Sequence, residues 1–262
     1  NLFSLKNKKI LILGGLGKLG KQFTKTFIDS GAKKVIIVDI IKSNKISKKI
    51  DYYQCDLSDE IAIKNTLKEI FKKEKKIHSL VYNVYSKPVN YYMPDKIYNI
   101  KTWKKVIDVN LTAAYISSQC VINHFIKNQI KGNIVFLLST YGIVSPNLKI
   151  YKGLSQKKNI YGGKFSLTTP AVYTTSKSGL LGLTKYLASS YGKKNIRVNA
   201  LSPGGVFDNQ EKKFVKNYID KVPLGRMAKW NEYNGAILFL VSDASSYMNG
   251  SNLIVDGGWT AW

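Results

Sequence analysis

The clearest structural signal in the sequence is the run KKILILGGLGKLG at residues 8–20. Its short apolar part is typical of a strand buried on both faces of a sheet, and glycines follow at once. Apolar residues then recur at helical spacing until Gly31, a residue type that commonly follows a helix. A strand, a glycine turn and a helix in this order form the first half of a dinucleotide-binding unit, because glycines let a pyrophosphate approach the backbone amides at the positive end of the helix. The residues predicted to contact the dinucleotide are Gly14, Gly15, Gly17, Lys18, Leu19 and Gly20.

An acidic residue, Asp39, closes the next predicted strand at residues 34–38. Its carboxylate can accept hydrogen bonds from the adenosine ribose hydroxyls and would repel the 2′-phosphate of NADP, so NAD is the predicted cofactor. Two alternatives stay open. Asp39 could have only a local capping role after the strand, or NADP could be used if Lys18, Lys33 or Lys42 offset the carboxylate.

A third predicted strand, at residues 51–55, leads into Asp56-Leu57-Ser58-Asp59. Asp56 is expected to meet the adenine, while Ser58 or Asp59 caps the helix that follows. A fourth strand, at residues 77–82, stops at Asn83, and a tyrosine- and proline-rich loop comes next.

The pair Tyr173 and Lys177 lies on a predicted helix at residues 170–191. Residues four apart share one helix face, so the phenol and the ammonium should project side by side. A free tyrosine has a pKa of about 10 and is a poor base at neutral pH, but a nearby positive charge favours the phenolate. The pair is thus suited to moving a proton on or off an alcohol oxygen. The alternative is a chance match on a solvated helix face in a lysine-rich chain.

Two further polar residues stand out against apolar surroundings. Asn110 falls in a long apolar helical segment, so it is either a hydrogen-bonded core group or part of a site. Ser139 ends a predicted strand at residues 132–139, where open α/β sheets bind ligands. The loop that follows, at residues 140–169, has a length that is usually functional or disordered.

Strands continue to alternate with helices to the end of the chain, with strands at 196–201 and 251–255 and helices near 210–221 and 232–242. This alternation predicts an α/β fold: a single-domain Rossmann fold over residues 1–262, with a doubly wound parallel sheet of about seven strands. The 262 residues, 44% of them hydrophobic, fit one such domain.

The formal net charge of +25 raises the possibility of a nucleic-acid-binding protein. Only Arg197 and Arg226 are arginines and the lysines are scattered over every segment, which favours a compositional bias over a built binding face. Cys55 and Cys120 share no metal-ligand or redox spacing, so no metal is expected. No signal peptide or apolar run of membrane-spanning length is apparent, and a cytoplasmic protein without a membrane partner is expected.

Taken in order, these pieces resemble the short-chain dehydrogenase/reductase family over nearly the whole chain. The matching positions are the glycine turn, Asp39, Asp56, Asn83, Asn110, Ser139, Tyr173, Lys177, Pro203, Gly204 and the run 255–258. The resemblance implies that Tyr173 is the general acid/base, that Ser139 orients the substrate oxygen and that Lys177 contacts the nicotinamide ribose and tunes Tyr173. It implies that Asn110 holds a water of the proton relay, and that the chain is a homotetramer or homodimer. Further cofactor contacts implied by it are Asp56, Leu57, Asn83, Pro203, Gly204 and Val206.

The chain also departs from the family's common pattern. Tyr85 stands where a glycine often lies near the cofactor, and the segment between Ser139 and Tyr173 is unusually long. The runs 139–142, 202–210 and 256–262 are similar to oxidoreductases of bacterial nonulosonic (sialic- or legionaminic-type) acid and flagellin glycan biosynthesis. A 3-oxoacyl carrier-protein reductase, a polyol dehydrogenase and a non-catalytic dinucleotide sensor are the alternatives.

The long segment between Ser139 and Tyr173 should lie at the substrate entrance. Residues 145–169 are expected to form a flap whose lysines attract an anionic sugar while aromatic faces lie against its ring. The flap lysines are Lys149, Lys152, Lys157, Lys158 and Lys164, among Tyr151, Asn159 and Tyr161. The alternative is that these lysines merely solvate a surface loop.

Overall fold

The protein is built on one seven-stranded parallel sheet, seen in a computed structural model that describes residues 1–43, 47–154 and 165–262. The strands are β1 Lys9–Leu13, β2 Lys34–Asp39, β3 Ile50–Gln54, β4 Ser79–Tyr82, β5 Gly132–Leu137, β6 Ile196–Pro203 and β7 Asn252–Val255. They pair in the order β3-β2-β1-β4-β5-β6-β7, and every pairing is parallel. The strand order reverses between β1 and β4, which makes the crevice at their carboxyl ends the place where such sheets bind ligands. The predicted doubly wound sheet is confirmed.

Helices cover both faces of the sheet. They are α1 Lys18–Asp29, α2 Glu60–Glu74, α3 Ile100–Ile107, α4 Ala113–Lys127, α5 Ala171–Tyr191, α6 Lys212–Ile219 and α7 Asn234–Val241. Helices α2, α4 and α5 pack on one face of the sheet, and α1 and α7 pack on the other. None of the helices in the described parts of the chain is both long and apolar enough to cross a membrane.

Strand β1 shows why the sequence reads as continuously apolar at this point. Leu11 and Leu13 pack under α2, α4 and α5, whereas Ile10 and Ile12 pack under α1 and α7. All four side chains are fully buried. Because a central parallel strand is covered on both faces, alternation between polar and apolar residues is lost.

The two late helices, α6 and α7, begin two residues later than their sequence patterns predict, and the side chains at the expected starts bond within the preceding loops. Gln210 bonds to its own loop, accepting from the Asp208 amide at 2.7 Å and donating to the Val206 carbonyl at 2.8 Å. Glu232 forms a two-point ion pair with Arg226, at 2.6 and 2.7 Å.

The segment between β5 and α5 also differs from a plain loop. It contains two 3-10 helices, Thr140–Gly142 and Leu148–Tyr151, in its described part. Ile150 is buried against α6, and the Asn217 amide of α6 donates to its carbonyl at 3.0 Å. Residues 155–164 of the predicted flap lie outside the described residues.

Candidate active site

A cavity of about 580 Å³ opens at the carboxyl ends of the central strands. Its walls come from the glycine turn, the end of β4, the ends of β5 and β6, and the first turns of α5. The predicted site residues that line it are Gly17, Lys18, Leu19, Asn83, Ser139, Tyr173, Lys177, Pro203, Gly204 and Val206. Residues predicted for the cofactor and residues predicted for proton transfer thus share one cavity.

The glycine turn is shaped by close backbone approaches. Gly14 has a φ of +79°, and a side chain there would lie 2.5 Å from the Asn83 carbonyl oxygen. The side-chain amide of Asn83 in turn donates to the Gly14 carbonyl at 2.9 Å, which fixes the end of β4 to the turn. A side chain at Gly20 would lie 2.7 Å from the Gly15 Cα and closer still to the Gly14 oxygen. The start of α1 can therefore approach the turn only because these positions are glycine.

The N-terminus of α1 is open for a ligand. Gly17 precedes the helix and supplies no side-chain cap to the first backbone amides of α1, which have no partner within the helix. These amides and the helix dipole favour an anionic group at this end. The turn and the helix start therefore fit the pyrophosphate of a dinucleotide.

Asp39 is nearly buried behind the turn. One carboxylate oxygen accepts from the Leu16 amide at 2.9 Å, and the other accepts from the Ile41 amide at 3.1 Å. Asp39 therefore has the local capping role that the sequence left open as an alternative to ribose binding. Each carboxylate oxygen can accept a further hydrogen bond, so these contacts are compatible with ribose binding as well.

The region predicted to meet the adenine lies beyond β3. Asp56 accepts hydrogen bonds from the Ser58 amide and hydroxyl at 2.9 and 2.8 Å. Asp59 is the residue that caps α2, accepting from two of its first amides. Leu57 is buried in the core, and neither Leu57 nor Asp56 lines the cavity. Their contact with adenine stays a prediction.

The alternative of a solvated Tyr173 and Lys177 pair is wrong, because Lys177 is only 3% exposed. Its Nζ donates to the Leu137 carbonyl at 2.7 Å and lies 6.0 Å from the centroid of the Tyr173 ring. Burial disfavours the charged form and lowers the pKa of Lys177 from 10.5 to about 7. Ser139, also buried, lines the cavity and accepts from the Tyr141 amide at 3.2 Å, which caps the 3-10 helix that follows it.

Asn110 lies in a π-helical turn, Asp108–Thr112, that joins α3 to α4. It is fully buried and does not line the cavity. Its side-chain oxygen accepts from the Ser86 amide at 2.8 Å, and its amide donates to the Ser176 hydroxyl at 3.0 Å. Asn110 is therefore a satisfied core group that ties the loop after β4 to α5 beside Tyr173. Single π turns inside helices are common at functional sites.

Sequence reasoning missed most of the aromatic wall of the cavity. The Tyr85 ring meets the Tyr173 ring edge-on, with centroids 6.3 Å apart. A hint existed in the tyrosine-rich loop after β4, but loop side chains carry no periodicity that would orient them. The missed lining residues include Lys87, Tyr91, Tyr92, Tyr141, Phe214, Tyr218, Met227 and Trp230.

Two of the predicted flap lysines lie away from the cavity where a substrate anion would bind. Lys149 and Lys152 are exposed and do not line the cavity. Between them, Ile150 is buried and Tyr151 lines the cavity, with its hydroxyl 2.6 Å from the Thr169 hydroxyl. This 3-10 helix thus turns Ile150 and Tyr151 inward, whereas Lys149 and the following Lys152 face outward. Lys157, Lys158 and Lys164 lie outside the described residues.

Comparison with known proteins agrees with this geometry. Residues 8–152 match the family model described as short chain dehydrogenase, and residues 158–260 match one described as Enoyl-(Acyl carrier protein) reductase. A short chain dehydrogenase from Leptospira borgpetersenii with bound NAD+ superposes with a TM-score of 0.86 at 30% identity, over 99% of this chain and 96% of that one.

Curated relatives of similar length differ in their substrates. The 3-oxoacyl-[acyl-carrier-protein] reductase of Thermotoga maritima is 32% identical over 97% of this chain and 98% of its own. The ribulose-forming D-arabinitol 2-dehydrogenase of Candida tropicalis is 27% identical, covering 99% and 95%. The post-translational flagellin modification protein A of Campylobacter coli is 26% identical, covering 97% and 99%. The chain therefore belongs to the short-chain dehydrogenase/reductase family of NAD(P)-dependent oxidoreductases.

Proposed function

We propose that this cavity interconverts an alcohol and a carbonyl, with Tyr173 exchanging the proton and a nicotinamide dinucleotide held along the glycine turn. The observation that carries the proposal is that Tyr173, Lys177 and Ser139 line the same cavity as Gly17 and Lys18. A bound nicotinamide would supply or accept the hydride. A non-catalytic sensor would need the turn but would have no use for the proton-transfer group.

Within this proposal Tyr173 is the general acid/base. Lys177 lies close enough for its charge to favour the phenolate, and its bond to the Leu137 carbonyl fixes its position. Ser139 stands on the floor of the cavity and orients the substrate oxygen. Asn110 holds the loop after β4 against α5 through Ser86 and Ser176, and the water of the proton relay is assigned to its neighbourhood.

We assign NAD as the preferred cofactor. Asp39 stands at the end of β2 with its carboxylate held beside the turn by the Leu16 and Ile41 amides, so its negative charge has a fixed position. A 2′-phosphate placed near it would be repelled. Asn83, Pro203, Gly204 and Val206 line the cavity beside the turn and are proposed as further contacts, with Asp56 and Leu57 on the adenine side.

The proposed substrate is a polyol, a sugar or a sugar derivative. Nine of the described lining residues are aromatic and seven of these are tyrosines, which suits hydroxylated carbon chains and sugar rings. The arabinitol dehydrogenase relative supports this class, and the flagellin modification relative supports the finer assignment to nonulosonic acid or flagellin glycan biosynthesis. The Thermotoga reductase keeps a 3-oxoacyl thioester as the second candidate.

We further propose that residues 140–169 form a substrate loop of this single domain and that the protein acts in the cytoplasm as a homodimer or homotetramer. Tyr186 on α5 is exposed, and a side chain added at Gly182 would meet nothing within 4 Å, so this helix face is open to a second copy. Gly179 instead packs inside the protein against Leu111. Mass measurement in solution tests the assembly.

The test of the proposed function is oxidation of NADH and NADPH with D-ribulose, D-fructose, L-sorbose and an acetoacetyl thioester. We expect turnover with at least one ketose, at a higher kcat/KM for NADH than for NADPH. Turnover restricted to the thioester would move the function to the second candidate. Tight NADH binding without turnover of any carbonyl in a wider panel would favour the sensor.

A further inference from the structure

The charges facing the cavity are unbalanced. Among the described lining residues, three are lysines and one, Asp208, is acidic. Asp208 lies in the loop after β6 and accepts a hydrogen bond from Lys18 of the glycine turn, forming an ion pair across the cleft. Lys177 donates to a backbone carbonyl. The only carboxylate in this described wall is therefore already bonded to one lysine, and positive charge exceeds negative charge.

Lys87 lies in the loop after β4 and lines the cavity. Its Nζ lies 5.0 Å from the centroid of the Tyr85 ring and 5.7 Å from that of the Tyr92 ring. Such faces attract an ammonium group and hold it in place. The Tyr85 ring in turn contacts the Tyr173 ring. Lys87 is therefore held one aromatic ring away from the proposed proton-transfer group.

The surroundings of Lys87 favour an anionic ligand. Burial lowers the pKa of Lys87 to about 7, and the charge of Asp208 raises it by a smaller amount. A negative charge next to Lys87 favours its ammonium form, so an anionic ligand and the protonated lysine would stabilise each other.

We propose that Lys87 binds an anionic group of the substrate, a carboxylate or a phosphate, and so makes the enzyme prefer sugar acids or sugar phosphates to neutral polyols. This inference rests on the proposed function, and it names the substrate class of the same cavity. It assigns the anion to a lysine that lines the cavity and not to the exposed Lys149 and Lys152.

The experiment measures the affinity of three probes that share a six-carbon polyol chain: D-gluconate, D-glucitol 6-phosphate and neutral D-glucitol. Binding is measured by calorimetry in saturating NADH, which allows no hydride transfer to these alcohols. The proteins are the parent, Lys87→Met, Lys87→Arg and, as a matched control at an exposed lysine, Lys149→Met. The affinity of each protein for NADH is measured separately.

We expect at least one anionic probe to bind the parent about 10- to 100-fold more tightly than D-glucitol, as a charge-assisted hydrogen bond predicts. Lys87→Met should abolish that preference while leaving the affinities for D-glucitol and NADH within about twofold, and Lys87→Arg should keep most of it. Lys149→Met should behave like the parent. The anionic probe that binds more tightly tells whether Lys87 prefers a carboxylate or a phosphate.

Three results would overturn the proposal. They are no preference for either anion in the parent, a preference that survives in Lys87→Met, or a loss of NADH affinity in Lys87→Met as large as its loss of affinity for the anionic probe. The last result would mean that Lys87 binds a phosphate of the cofactor. A parent that oxidises NADH with neutral ketoses but shows no anion preference refutes the role of Lys87 alone. A parent that binds no NADH refutes the proposed function as well.

Discussion

Replacing Lys177 by Met should remove a pH dependence of stability that the parent protein has between pH 7 and pH 9. Lys177 is buried, and its pKa falls from 10.5 to about 7 because burial disfavours the ammonium form. In the unfolded chain the ordinary pKa returns. Between these two values the unfolded state binds more protons than the folded state, so the free energy of unfolding rises with pH.

The size of this effect follows from the two pKa values. Well above the folded pKa, the two states differ by nearly one proton, which is worth about 1.4 kcal/mol per pH unit. Near pH 7 the folded group is half protonated and the slope is about half as large. From pH 7 to pH 9 the contribution of Lys177 should therefore make the parent more stable by about 2 kcal/mol.

The assay is urea unfolding of the parent and of Lys177→Met at pH 7 and pH 9, at one protein concentration and without cofactor. Subtracting the two proteins cancels every titrating group that they share. Lys152→Met, at an exposed lysine outside the cavity, controls for the loss of one positive charge. If the difference between parent and Lys177→Met changes by less than about 0.5 kcal/mol, which is within the additivity error, Lys177 is not a buried ammonium of lowered pKa.

Three further changes test other parts of the site. Asp39→Ser should raise the ratio of kcat/KM with NADPH to that with NADH by about 10-fold, since repulsion of the 2′-phosphate is removed; an unchanged ratio in steady-state assays would refute the assignment. Gly20→Ala should weaken NADH binding in calorimetry and cost about 1–3 kcal/mol of stability, because its methyl group would overlap Gly15; parent-like affinity would contradict this. Asn110→Ala should lower the free energy of urea unfolding by about 1–3 kcal/mol, because the Ser86 amide loses its acceptor. Parent-like unfolding of that variant would show that water replaces the side chain.

Local patterns in the sequence were enough to predict the fold and the centre of the site. A buried strand followed by closely spaced glycines predicts β1 and the turn. At Gly14 and Gly20 the backbone approaches neighbouring backbone atoms too closely for any residue with a side chain. Tyr173 and Lys177 could be paired because the helical repeat alone puts residues four apart on one face. In each case the physical constraint acts between neighbours in the chain.

The direction taken by loop side chains could not be predicted, because packing between distant segments decides it. Lys149 and Lys152 face solvent because Ile150 between them is buried against α6. Lys87 faces the cavity because Tyr85 and Tyr92 surround its ammonium group. In a chain with 41 lysine and arginine residues, no feature of composition distinguishes Lys87 from Lys149.

The π turn at Asn110 is a second feature that the sequence did not reveal. The apolar periodicity of the segment predicts one continuous helix, and a single wider turn changes that pattern very little. The turn is recognised from its backbone, and in it Asn110 contacts Ser86 on one side and Ser176 on the other. These contacts join elements that are far apart in the chain.

The most direct test of the account is the turnover of Tyr173→Phe with NADH and the best ketose of the panel, measured beside its NADH affinity. The ring and its contacts are kept in this variant, and only the hydroxyl that exchanges the proton is lost. The account predicts that kcat falls by about 10²- to 10⁴-fold while the dissociation constant for NADH stays within about twofold. Turnover within a few-fold of the parent would contradict the assignment of Tyr173 as the general acid/base, and with it the central claim.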